Sequence, residues 1–329
     1  MTDKIRWGIL GAARIAANQF NPALRKSVRS VLAAAASRDE AKGREFARTW
    51  GIPRLYTRYE DLLADPDIDV IYNPLPNHLH AEWTVRALQA GKHVLCEKPL
   101  VLTLDEMQRV EEAAQSSGKV AAEAFMYRHH PLTHAVQEIV ASGELGEIRL
   151  MRGAFSFFLN RPDDYRWDPA AGGGSLWDVG CYPVSYFRML TGSAPLTVQG
   201  WQVTAPSGVD ASFSALLRYP GDILAQIDSS FATQPYTTIE VRGSKATLWV
   251  PKPFLFSSRA DLFITQDGRQ KRRSFSLPHL YLGEIRDMED CILEGKSPRL
   301  SLAETRQNTA ALLALYESAR TQQPVHLRP

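Results

Sequence analysis

Residues 90–99 read Ala-Gly-Lys-His-Val-Leu-Cys-Glu-Lys-Pro. Gly91 closes a helix, Lys92 to Cys96 form a short buried strand, and Glu97, Lys98 and Pro99 sit just past its end. In an open parallel α/β sheet, ligands bind in the crevice beyond the carboxyl ends of the strands. An ammonium held there beside a carboxylate, with proline fixing the backbone, is a candidate catalytic group. Taken alone, the tripeptide reads better as a surface Glu–Lys pair before a helix, so the catalytic reading depends on its surroundings.

Upstream, Ile5 to Leu10 is an apolar strand followed at once by Gly11-Ala12-Ala13-Arg14-Ile15-Ala16. That is the place of the phosphate-binding turn, G-x-G-x-x-G/A, in a dinucleotide fold. Gly11 supplies the tight turn, and Ala16 lets helix and strand pack closely. Ala13 replaces the middle glycine. Asn21-Pro22 restarts a helix with Asn21 as its cap. Val31 to Ala36 is a second strand ending at Ser37-Arg38-Asp39. An NAD enzyme places an acid there for the ribose 2′-hydroxyl, whereas Ser37 and Arg38 suit a 2′-phosphate. Asp39 fits better as the cap of a helix running to Trp50 and ended by Gly51.

The alternation continues. Asp69 to Asn73 is a strand, and Asn77 caps a helix ending at Gly91. Thr103-Leu104-Asp105-Glu106 is a capping box for a helix ending at Gly118, and Lys119 to Phe125 is a further strand. Strands and helices alternating at this spacing imply a parallel sheet with right-handed crossovers. The loop Asn73-Pro74-Leu75-Pro76-Asn77-His78-Leu79-His80 lies at another strand's carboxyl end and faces the same crevice as Lys98. His78 and His80, and the adjacent His129 and His130, have no converging third ligand. They read as capping or supporting residues, with no metal site.

Pro131 starts a helix ended by Gly143, and from Glu147 the hydrophobic period changes to two. Strands are expected at 148–159, 197–203, 211–219, 223–231, 237–242, 246–250, 261–265 and 270–277. Pro220-Gly221-Asp222 and Asp267-Gly268 are hairpin turns, so this sheet is mainly antiparallel. Ser301-Leu302-Ala303-Glu304 is a second capping box, opening a helix through Arg320. Between the first two of these strands lies Gly172-Gly173-Gly174-Ser175-Leu176-Trp177-Asp178-Val179-Gly180-Cys181-Tyr182-Pro183. Asp178 and Tyr182 would share a face on continuous helix, but Gly180 is expected to break it.

The 329 residues suggest two domains, 1–125 and 126–329. The composition, 44% hydrophobic and 22% charged with a net charge of +2, points to no nucleic-acid or membrane partner. The basic run Arg269, Lys271, Arg272, Arg273 alternates as the solvated face of a strand. Three cysteines without a C-x-x-C pair suggest reduced thiols in the cytoplasm. Met1 to Arg6 leads into a strand without a signal-peptide core, and no stretch approaches the roughly 20 apolar residues of a membrane span.

Together these pieces resemble the glucose–fructose oxidoreductase / inositol dehydrogenase / MocA superfamily of NAD(P)-dependent oxidoreductases. The resemblance covers essentially the whole chain and rests on residues 90–99 and on Gly-Gly-Gly-Ser-Leu-x-Asp-x-Gly at 172–180. It implies a Rossmann dinucleotide-binding domain followed by an α+β domain with an open, mainly antiparallel sheet, forming dimers or higher homo-oligomers. It makes Lys98 the catalytic lysine and Asp178 the active-site aspartate. Tyr182 stands where many members carry histidine, which places the chain near glucose–fructose oxidoreductase and dimeric dihydrodiol dehydrogenase. Phe125 to Pro131 matches the segment lining the nicotinamide side, and Arg166-Trp167 resembles residues reaching that region from the second domain. The Lys98–Pro99 bond is expected to be cis, as in relatives.

The expected activity is hydride transfer between NADP(H), with NAD(H) as the alternative, and a hydroxyl or carbonyl carbon of a sugar, polyol or diol. Tyr182 would be the general acid/base, with Lys98 favouring its phenolate and binding the developing alkoxide. Glu97 and Asp178 would orient them. Cofactor contacts are expected from Gly11 to Ile15, Ser37, Arg38, Asn73, Pro74, Leu75, Asn77, His80, Glu97, Lys98, Arg128 and Trp167. Substrate contacts are expected from Lys98, Arg128, Arg166, Asp178 and Tyr182. The rival readings are an NAD-linked aldose or inositol dehydrogenase and a non-catalytic dinucleotide sensor, against which the retained Lys98 and Tyr182 argue.

Overall fold

In the computed structural model of this chain, residues 4–254 and 259–327 are described. By contact they form two compact units. The first runs to His129 and adds Pro278–Thr305; the second holds His130–Leu277 and continues from Arg306. Residues 278–305, expected from sequence to belong with 126–329, therefore cluster with the first unit.

The first unit contains β1 (Ile5–Leu10), β2 (Ser30–Ala36), β3 (Arg54–Tyr56), β4 (Val70–Asn73), β5 (His93–Glu97) and β6 (Ala121–Ala124). They form one parallel sheet in the order β3-β2-β1-β4-β5-β6. This is the dinucleotide-binding order, with its reversal at β1/β4. Its helices are α1 (Asn21–Leu24), α2 (Glu40–Trp50), α3 (Tyr59–Ala64), α4 (His80–Gln89) and α5 (Leu104–Ser117). The sheet is buried on both sides, which is why β2 reads as a run of alanines and β1 as continuous apolar chain.

Several helix ends follow the capping chemistry expected of them. Asp39 accepts from Lys42 N, Thr103 and Glu106 form the reciprocal box, and Gly51 and Gly118 close their helices in the left-handed region. Two expected caps are corrected. Asn21 does not restart a helix, because a π-helical turn, Ala16–Phe20, carries the backbone straight into α1. Asn77 opens a short 3₁₀ turn to Leu79, and α4 begins only at His80. The strand β3 and helix α3 were not foreseen.

The second unit begins with α6 (Pro131–Ala141), capped by His130 Nδ1, which accepts from Leu132 N at 3.0 Å. Its strands are β7 (Ile148–Phe158), β8 (Thr197–Thr204), β9 (Asp210–Tyr219), β10 (Ile223–Ser230), β11 (Ala232–Gly243), β12 (Thr247–Val250), β13 (Arg259–Gln266), β14 (Arg269–Ser276) and β15 (Val325–His326). The order is β14-β13-β12-β11-β7-β10-β9-β8-β15. Every pairing is antiparallel except β10 with β7. Both predicted hairpins have positive φ at their central residues, 77° and 57° at Gly221-Asp222 and 49° and 73° at Asp267-Gly268. That is the twist-matched turn two adjacent strands require. The helix α7 (Cys181–Thr191) packs on β7 and β10. Later come α8 (Leu282–Glu294), absent from the sequence reading, and α9 (Leu302–Thr321), opened by the Ser301–Glu304 box. α8 lies wholly within the first unit, and α9 passes from the first to the second after Thr305.

Candidate active site

In the first unit, the expected residues gather at the carboxyl ends of adjacent strands. After β1 the chain turns through Gly11 at φ 82°, whose N–H donates to Ala36 O at 2.7 Å. Ala12 and Ala13 are part-exposed, and the helical backbone begins at Arg14. Unsatisfied N–H groups at such a helix start favour phosphate oxygens. Past β2, the Ser37 hydroxyl donates to Asp39 O at 2.8 Å. The Arg38 guanidinium lies over the Tyr59 ring, 5.7 Å from its centroid, and makes no ion pair among the described residues. Asp39 is committed to Lys42 through its backbone and ammonium, so it caps α2 as expected. An open glycine turn and an uncommitted guanidinium together fit a dinucleotide bearing a 2′-phosphate.

The loop after β4 is braced from within. Asn73 is fully buried, and its amide donates to His80 O at 3.1 Å and Thr84 Oγ1 at 3.3 Å while its oxygen accepts from Leu75 N. His80 Nδ1 stands 2.7 Å from Pro99 O and Nε2 2.6 Å from Leu75 O. Burial pushes its pKa down to about 4, against the pull of those two carbonyls. The neutral ring donates to one of them. His80 thus ties the Pro74–Asn77 loop to the segment carrying Lys98.

That segment is held on further sides. Glu97 is buried and accepts from the Tyr72 hydroxyl at 2.6 Å. The Lys98–Pro99 bond is cis, as the resemblance implied. Leu100 N donates to Glu123 Oε1 at 3.0 Å, and Thr305 Oγ1 donates to Glu123 Oε2 at 3.0 Å. Lys98 itself remains half-buried at the strand end. Lys92, at the opposite end of β5, is a structural lysine whose ammonium is taken up by the carbonyls of Asp65 and Ile68 at 2.6 and 2.8 Å. Arg128, expected to touch ligand, is buried and paired with Glu304 at 2.8 Å.

In the second unit, Arg166 Nε donates to Asp178 Oδ2 at 2.7 Å, and its Nη1 to Asp164 Oδ1 at 3.2 Å. Burial works against the guanidinium's charge, but Asp178 and Asp164 outweigh it and hold the arginine pKa above its ordinary value. Asp178 and Tyr182 are 5% and 4% exposed. The expected break at Gly180 is corrected: a π-helical turn, Leu176–Gly180, runs directly into α7. Gly180 is there for packing, since a Cβ would press on Leu176 and Ser229. Asp178 and Tyr182 therefore stand about one turn apart on unbroken helical backbone. The Tyr182 ring sits against Phe155 and Phe254, centroids at 5.2 and 5.1 Å. Trp167 is half-buried with its ring edge-on to Phe231 at 5.3 Å.

The glycine run has a packing role as well. Gly174 takes φ 120°, and a Cβ there would collide with the Asp210 carboxylate. Asp210 accepts from Ser175 Oγ, Leu176 N and Tyr316 OH, each at 2.7 Å. It anchors the start of the helix that carries Asp178 and Tyr182. Tyr72, Glu123, Asp164 and Asp210 were not picked out from sequence; only Asp164, two residues before Arg166, carried a local signal. Among the described residues no three His, Cys, Asp or Glu side chains converge on a metal position.

Residues 5–125 match the model of the oxidoreductase family with an NAD-binding Rossmann fold, and residues 133–249 match the GFO/IDH/MocA C-terminal domain. The chain is 39% identical to D-xylose 1-dehydrogenase (NADP(+)) 2 of Haloferax volcanii, over 98% of this chain and 99% of that protein. It is 31% identical to trans-1,2-dihydrobenzene-1,2-diol dehydrogenase of Mus musculus, over 96% of each. Among solved structures it is similar to a 3-ketoreductase from Actinomadura kijaniata in complex with NADP and TDP-benzene. That match has a TM-score of 0.91 and 29% identity, covering 96% of this chain and 98% of that one. The aldose-aldose oxidoreductase from Caulobacter crescentus, complexed with glycerol, gives a TM-score of 0.93 at 26% identity, covering 98% and 100%. With both halves matched and relatives aligned end to end, the chain belongs to the GFO/IDH/MocA family of oxidoreductases.

Proposed function

We propose that this protein transfers a hydride between NADP(H) and a hydroxyl or carbonyl carbon of a sugar, polyol or related diol. The bracing around Lys98 carries the reading: Tyr72, His80 and Glu123 each fix a neighbour of that lysine. Such fixation is what a group aimed at a reacting atom needs, and a solvated surface lysine does not. The bound nicotinamide supplies the hydride donor or acceptor. The chain's own residues do the rest. Tyr182 passes a proton to or from the substrate oxygen, and the Lys98 ammonium stabilises the charge developing there. Asp178, held by Arg166, and Arg128 orient the substrate hydroxyls. Ser37 and Arg38 take the 2′-phosphate, consistent with the NADP named for the Haloferax and Actinomadura relatives. In this reading residues 1–125 serve the dinucleotide and 126–329 the substrate and assembly. The test is cofactor reduction followed by absorbance with a panel of aldoses, polyols and diols. Turnover with at least one, faster with NADP+, is expected. Tight cofactor binding with no turnover would favour a sensor instead.

We further propose that a second copy of the chain covers the open face of the nine-stranded sheet. Leu150, Leu216, Leu224, Trp201, Val203, Tyr236 and Trp249 are exposed. The register places them on one face: Leu150 pairs with Leu224, Leu216 with Gln226, and Tyr236 with Ser156. An exposed apolar stripe of this extent marks an association surface. Light scattering should show a dimer or higher assembly, reduced to monomer by Leu216→Arg with Leu224→Arg. A monomeric wild type would refute it. With three buried cysteines outside any disulfide and, among the described residues, no helix long and apolar enough to cross a membrane, the proposed location is the cytoplasm.

A further inference from the structure

Glu284, in the first turn of α8, is 1% exposed, and neither carboxylate oxygen meets a hydrogen-bond donor among the described residues. Its electrostatic neighbours are acidic. Glu97 acts on it from the end of β5, and Asp287 from one turn on along α8. The Tyr72 hydroxyl, from β4, is spent on Glu97 rather than on Glu284. The 3₁₀ turn Met126–His129 packs on α8, and there Arg128 is engaged by Glu304 while the His129 Cβ abuts Gly283. From α1 comes the neutral Asn21, whose amide atoms also have no hydrogen-bond partner among the described residues. Phe20 stacks flat on Tyr72, 3.8 Å between centroids, which keeps the surroundings apolar.

Two carboxylates that sense each other in a dry interior do not both ionise. Glu97 accepts a hydrogen bond from Tyr72, which favours its charged form; no donor among the described residues does the same for Glu284. We propose that Glu284 is kept as a buried, neutral carboxylic acid, which leaves Glu97, accepting from Tyr72, as the carboxylate at the residue preceding Lys98. Burial, with the charges of Glu97 and Asp287 adding to it, raises the Glu284 pKa well above the usual carboxylate range. Tyr72 stays protonated for the same reasons, burial first and then Glu97, and donates. Glu284 is thereby a positioning residue acting through Glu97. One negative charge balances the Lys98 ammonium, whereas two would oppose an alkoxide forming beside it. That functional consequence rests on the oxidoreductase reading; the protonation does not.

The test uses the full chain and needs no turnover, so its failure is separable from failure of the proposed activity. A carboxyl with a raised folded pKa keeps a proton that the unfolded chain releases. Folding is then progressively penalised as pH rises above the usual carboxylate range. Glu284→Gln escapes this. Its melting temperature should equal or exceed that of wild type near pH 4, and the gap should widen steadily toward pH 8. The infrared spectrum of wild type at pH 7 should contain the carbonyl band of a buried protonated carboxylic acid, absent in Glu284→Gln. Glu284→Met, similar in volume and not ionisable, should show the same widening and the same missing band, and it decides the matter if the glutamine variant does not fold. A gap that stays constant with pH, or a wild-type spectrum without the band, overturns the proposal.

Discussion

Arg38 is the residue on which cofactor choice should turn. Replacing it with alanine removes a guanidinium that has no acidic partner among the described residues, so no described carboxylate is orphaned. Its contact with the Tyr59 ring, at 5.7 Å, is an exposed cation–π interaction of about 0.5–1 kcal/mol, too small to threaten the fold. Toward a 2′-phosphate, a charge-assisted hydrogen bond contributes roughly 1.5–3 kcal/mol, or about ten- to a hundredfold in Kd. Because Arg38 is exposed, the lower end of that range is expected at physiological salt, and the effect should grow as ionic strength falls. The assay is fluorescence titration of wild type and Arg38→Ala with NADPH and NADH at two salt concentrations. NADPH affinity should drop about tenfold or more and NADH affinity should hold. An unchanged ratio of the two, or a loss of both together, would refute the assignment of Arg38 to the phosphate.

Two further outcomes are expected. Lys98→Met keeps most of the stem's volume while removing the charge. It should abolish most turnover with NADPH affinity and melting temperature near wild type; loss of folding instead would make Lys98 structural. Asp69 concerns stability: burial pushes its carboxyl up, but Arg6, donating through backbone and guanidinium, outweighs burial and holds the pKa below the ordinary value. A depressed folded pKa stabilises above the unfolded value and is lost as pH falls. Asp69→Asn should therefore lower the melting temperature at pH 7 and lose that difference near pH 3, whereas a pH-independent difference would contradict the ion pair.

Much of the fold was legible because several helix ends of the first unit carry their own chemistry. Asp39, Thr103 and the closing glycines act within a few residues of where they stand, and the structure uses them as expected. Where local signals misled, a longer-range constraint won. Gly180 looks like a helix breaker, but its missing side chain makes room for Leu176 and Ser229 within a continuous helix. Asn21-Pro22 looks like a start, yet a π turn has already begun the helix. The parallel pairing of β10 with β7 depends on where two distant strands dock, which no hairpin signal encodes. α8 joins the first unit through side chains such as Glu289, which accepts from Ser27, Ser30 and Arg29 far away in sequence. Among the proposed site residues, Lys98, Asp178 and Tyr182 were reached through the resemblance carried by residues 90–99 and 172–180 and by the residues that follow. Tyr72, Glu123 and Glu284 were not, because a buried carboxylate or phenol is indistinguishable in sequence from a solvated one.

The central claim is that Tyr182 exchanges the substrate proton during hydride transfer. Its most direct test is the single-turnover rate of NADPH oxidation in Tyr182→Phe against wild type, measured with the best substrate of the panel. The variant keeps the ring that packs on Phe155 and Phe254, so folding and NADPH binding should be unchanged. General acid–base catalysis typically contributes about 10²- to 10⁴-fold, and the hydride-transfer rate should fall by that order. A variant that transfers hydride at the wild-type rate would contradict the account and leave Tyr182 as a packed core aromatic.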